Sequence, residues 1–163
     1  MKTRNTSIGK IDRKLTVWMA KNGVRFLRIS IGIVFVWFGS LKFFDGVSPA
    51  QGLAVKTIDI LTFGLFNDKT IIIGLAILEV LIGIGLLLNR FLRETLLLLY
   101  LQMLGTFTPL ILFTGEVFTS FPLVLSLEGQ YIIKNVIIVS AGIVIGATVR
   151  GGKLYPEPVD TSD

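Results

Sequence analysis

The apolar positions of this chain are gathered into four long runs, at about residues 24–44, 70–88, 95–113 and 131–149. They do not recur only every third or fourth residue, as on a helix that buries a single face. Each run approaches the roughly 20 residues a helix needs to cross a bilayer. The clearest is TIIIGLAILEVLIGIGLLL, residues 70–88, in which Glu79 is the one charged side chain. The pattern predicts an all-α membrane protein, a bundle of four transmembrane helices.

The connections carry their own signals. Within residues 45–69, Ser48 and Pro49 read as an N-cap and first helical residue, and Leu53, Ile58, Leu61 and Leu65 follow at near-helical spacing. This predicts a short amphipathic helix in the first outer loop, closed by Gly64, Asn67 and Asp68. Residues 89–94 form a tight basic turn. Pro109 is expected to kink the outer end of the third span. Residues 114–130 form a second outer loop that holds Glu116 and Glu128 but no Lys or Arg. Gly32 and Gly39 in span one, and Gly142 and Gly146 in span four, suit close helix contact.

Composition agrees with lipid as part of the solvent. The chain is 52% hydrophobic with a mean hydropathy of +0.77, and only 17% of it is charged, against roughly 25% in soluble domains. The net charge of +5 does not point to nucleic acid, because eight of the sixteen Lys and Arg lie in the first 28 residues. With two more in the 89–94 turn and two in the C-terminal tail, the basic residues place both termini in the cytoplasm. The expected organisation is a basic segment 1–23, a membrane domain 24–149 and a tail 150–163. The basic segment is not a secretory signal, since its apolar run starts only after Arg25. Trp18 and Met19 within it suggest either a short helix on the inner surface or a solvated tail, and Arg25 and Arg28 are placed to snorkel to the inner headgroups. The chain has no Cys and no His. Thiol chemistry, haem ligation and the usual zinc and copper sites are therefore not expected.

Glu79 sits near mid-bilayer, where an ionised group costs about 2.5–3.5 kcal/mol on insertion scales. Lys42 and Lys134 sit near the outer boundary. A helical Cα–Cβ bond tilts toward the helix N-terminus, so Glu79 leans outward and Lys42 inward. This predicts a Lys42–Glu79 pair, with Lys134 left to snorkel or to pair at the mouth with Glu128, Asp45 or water. Gln102, Thr106 and Asn135 lie at suitable depths to join Lys42, Glu79 and Lys134 around a polar pocket. Such a pocket would suit a quinone ring or another amphiphile headgroup. The same groups also suit a closed network that only clamps the helices.

The segments LRISIGIVFVWFGSLKF, ILEVLIGIGLLL and GQYIIKNVIIVSAGIVI resemble the DoxX-like membrane proteins, and among them the YkgB family. The pattern falls on Trp37, Gly39, Lys42, Phe43, Glu79, Gly129, Lys134 and Asn135. The resemblance implies a four-helix bundle of the bacterial inner membrane, linked to quinol or sulfur-compound oxidation and to oxidative or chlorine stress. It suggests an accessory protein with a membrane or redox partner subunit, or a homo-oligomer, with a quinone as the candidate cofactor. A transporter or proton pathway using Glu79, and a purely structural scaffold, are the alternatives. Catalysis by this chain alone is not expected, as it offers no nucleophile–base pair or metal constellation. Gly83-x-Gly85 lies inside a span and reads as packing, not as a dinucleotide fingerprint.

Overall fold

The computed structural model describes residues 7–44, 46–47 and 51–152. Among the described residues, four helical stretches are long and apolar enough to cross a membrane: Gly9–Leu41, Asp68–Leu88, Leu92–Leu112 and Leu127–Gly146. Ser48, Pro49 and Asp45, the first six residues and the tail 153–163 lie outside the described residues, and with them the expected N-cap of the loop helix.

Helix α1, Ser7–Leu41, is continuous, so the basic segment is neither a separate surface helix nor a tail from Ser7 onward. Its 35 residues measure about 52 Å at ~1.5 Å per residue, well beyond a ~30 Å hydrocarbon layer. The helix stops at Leu41, three residues before the expected end of span one, and Lys42–Phe44 continue as a tight turn in which Lys42 N–H donates to Gly39 O. Helix α2, Gln51–Leu61, is the expected loop helix. It buries Leu53 and Thr57, whereas Leu65 falls beyond its end and is exposed. Helix α3, Asp68–Leu88, is capped by Asn67, whose side chain accepts from Thr70 N–H at 2.9 Å.

Helix α4, Leu92–Phe107, gives way to α5, Pro109–Leu112, at the expected proline, which occupies the first helical position where its missing N–H costs nothing. The second loop is more ordered than its sequence predicts. It folds as α6, Thr114–Val117, and an antiparallel pair of short strands, β1 Phe118–Ser120 and β2 Val124–Leu125. Span four then begins at Leu127, four residues early, as α7, Leu127–Ile133, and α8, Val136–Gly146. The two meet at Lys134 and Asn135, where Asn135 N–H reaches Ile132 O and Ile137 N–H reaches Lys134 O, the i−3 bonds of a tightened turn.

The bundle closes as a ring, α1 against α3, α3 against α4, α4 against α8 and α8 against α1, while α2 crosses over α3, α4 and α5. One core cluster joins Ile82 and Leu86 of α3 to Leu99 of α4 and Ile145 of α8. Here α1 and α3 touch backbone to backbone: a Cβ on Gly83 would stand 2.7 Å from Val36 N and 2.8 Å from Gly32 O. Gly142 makes similar room for the Tyr100 ring. A smaller cluster of Leu53, Val117 and Ile132 fixes α2 to α6 and α7. Gly129 belongs to that contact, since it lies against the Val117 carbonyl. Arg28, expected to snorkel, instead turns its guanidinium onto the carbonyls of Leu86 and Leu87 and satisfies the orphan acceptors at the end of α3.

Candidate functional site

Glu79 stands eleven residues after the start of α3, about 16 Å along a helix that crosses at ~1.5 Å per residue. Lys42 reaches it from the turn that ends α1, and the expected pair forms with Nζ 2.6 Å from Glu79 Oε2. Both side chains are 13% exposed. The second carboxylate oxygen, Oε1, accepts from Gln102 Nε2 of α4 at 2.8 Å. One acid thus ties the first three spans together, with one bond on each oxygen. A neighbouring carboxylate dictates that Gln102 presents its NH2 group there. Its carbonyl oxygen is then left buried and without a partner among the described residues.

Gly39 makes the approach possible. A Cβ at this position would sit 2.9 Å from Glu79 Cβ and 3.0 Å from Val80 N, so α1 and α3 come this close because α1 carries no side chain there. Thr106, one turn beyond Gln102, donates its hydroxyl to Gln102 O at 2.9 Å. That back-bond leaves the hydroxyl oxygen as an acceptor.

Lys42, Glu79, Gln102, Thr106, Lys134 and Asn135 all line one cavity of about 580 Å³. Lys134 is not in a salt bridge with Glu128. Its ammonium lies 3.6 Å from the centroid of the Tyr131 ring, in cation–π contact. Asn135 occupies the cap position of α8 but makes no side-chain cap bond. The remaining walls are mostly apolar, with Leu53, Ile58 and Leu61 of α2 as the roof. Val34 and Phe38 of α1 and Ile137 of α8 line the cavity and are also exposed, Ile137 to 70%. The cavity therefore opens sideways between α1 and α8.

Two motif residues fall elsewhere. Trp37 and Phe43 are exposed on the outside of the bundle and do not line the cavity. The sequence reading missed Tyr131 and Thr57 as lining residues, and it missed the Lys56–Glu116 ion pair. That pair, at 2.8 Å, links α2 to α6. Lys56 in the 45–69 connection and Glu116 in the 114–130 connection were the available signal for it. No group of three or more His, Asp or Glu side chains suited to a metal occurs among the described residues. No family model, curated protein or solved structure matches the chain.

Proposed function

We propose that this is a small multi-pass protein of the bacterial inner membrane that holds a quinone-like or lipid amphiphile in the cavity beneath α2. The observation that carries the reading is the convergence of six polar side chains from four spans on one mostly apolar cavity. Its volume of about 580 Å³ lies within the ~300–1,000 Å³ of small-molecule sites. The unpartnered Gln102 oxygen adds support, because an orphan acceptor costs about 1–3 kcal/mol unless something supplies a donor. A tail would leave through the gap between α1 and α8 into lipid.

The distribution of Lys and Arg supports cytoplasmic termini, which puts α2 and the cavity on the outer side. The resemblance to DoxX-like and YkgB proteins supports a role as an accessory to a redox or stress-resistance partner. A proton pathway has less to support it, since the core on the far side of Glu79 is built from Ile82, Leu86, Leu99 and Ile145. A purely structural role for the Lys42–Glu79 pair is favoured by one fact, that both Glu79 oxygens are already bonded.

Mass spectrometry of small molecules released from gently purified protein tests the reading. One amphiphile per chain is expected from the wild type. Thr106→Trp, which fills the cavity, is expected to lose it while still eluting as the same folded species. A wild type that releases nothing above the detergent background, or a Thr106→Trp variant that keeps its ligand, ends the proposal.

A further inference from the structure

The charges lining the cavity do not balance. Lys42, Glu79 and Lys134 contribute two ammonium groups and one carboxylate. Glu79 spends one oxygen on Lys42 and the other on Gln102, so the inner pair is neutral and already bonded. The charge that remains is on Lys134, which has no carboxylate within 4 Å among the described residues and rests on the Tyr131 face. A cation–π contact leaves an ammonium its N–H donors on the side away from the ring. Asn135, adjacent on the same tightened turn, lines the cavity with a side chain not used as a cap.

We propose, resting on the cavity reading above, that the bound amphiphile is anionic. Its carboxylate or phosphate headgroup meets Lys134 and Asn135, and its chain lies along Val34, Phe38 and Ile137. The occupant is a lipid-like molecule drawn sideways from the leaflet on the α2 side. Charge complementarity selects it over a neutral ring compound, because a neutral ring leaves the Lys134 ammonium without a counter-charge.

Delipidated full-length protein titrated with four single-chain probes, followed by native mass spectrometry, tests this. The probes are oleate, lysophosphatidylglycerol, lysophosphatidylcholine and monoolein. A charge-assisted hydrogen bond to the headgroup implies that the anionic probes bind at least ~10-fold tighter than monoolein. In Lys134→Gln the ratio is expected to fall to about one, and Lys134→Arg is expected to keep it. Preference for oleate alone or for the lysophospholipid alone identifies the headgroup as carboxylate or phosphate, and either supports the proposal. Equal binding of all four by the wild type overturns the anionic headgroup and leaves the cavity reading standing, as does a ratio unchanged in Lys134→Gln. Binding of none overturns both.

Discussion

The two halves of the bundle share a close contact of α1 with α3 but differ in how the other spans are packed. In the half that carries the basic turn, Gly32 and Gly83 bring α1 and α3 into backbone contact, and Ile82, Leu86, Leu99 and Ile145 are fully buried. In the half beneath α2, Lys42, Glu79 and Gln102 bridge the spans by hydrogen bonds, and a cavity of about 580 Å³ lies beside them. Lipid tails are as apolar as leucine, so nothing squeezes such helices together, and the size and reach of side chains set how closely they approach. Small residues close one half. In the other, Gly39 still brings α1 against α3, and the cavity lies beside that contact, where a loop helix roofs the space without filling it.

The sharpest test of this contrast removes the charges. Glu79→Met or Lys42→Met leaves its partner buried and unpaired, which is expected to cost about 3–5 kcal/mol. The double variant Lys42→Met/Glu79→Met should be more stable than either single variant. Thermal unfolding in detergent measures all three, and a double variant that is the least stable of the set contradicts a clamp between spans. Next in size is truncation of the closed half. Leu99→Ala is expected to cost about 2–5 kcal/mol because its surroundings cannot collapse. Ile137→Ala, at the open edge of the cavity, should cost well under ~1 kcal/mol, as for exposed positions generally. Equal losses at the two positions would erase the distinction between the halves. The smallest effect belongs to the roof. Lys56 and Glu116 are about half exposed, and such a pair contributes about 0–1 kcal/mol. Glu116→Ala should therefore barely move the unfolding temperature while speeding ligand exchange, measured by the release rate of a bound probe.

Much of this arrangement was legible in the residues. The spans and the break of the third at Pro109 follow from local chemistry, whereas Asn67, expected to close the loop helix, instead caps α3. The Lys42–Glu79 pair was expected from helix direction, although Lys42 reaches the acid from the turn after α1 and not from the helix itself. The second loop was not legible, because FTSFPLVL forms its hairpin beside the buried Val117 of α6, with Leu125 packed against Gly129 of α7, which no local pattern announces. Arg28 was misjudged for the same kind of reason. Its partners are the carbonyls of Leu86 and Leu87, 58 and 59 residues away, and any exposed arginine near a span end looks free to snorkel.

By itself, then, the sequence determined how many helices can cross a membrane and which of them carries the buried acid. Transfer into lipid is a sum over neighbouring residues, and that sum can be read along the chain. Only the tertiary structure decided that Gln102 takes the second oxygen of Glu79, that Lys134 is left facing a cavity, and that the cavity opens between α1 and α8. Those outcomes depend on how each helix is rotated against the next, and between α1 and α3 the rotation is set by where Gly39 and Gly83 allow two backbones to meet.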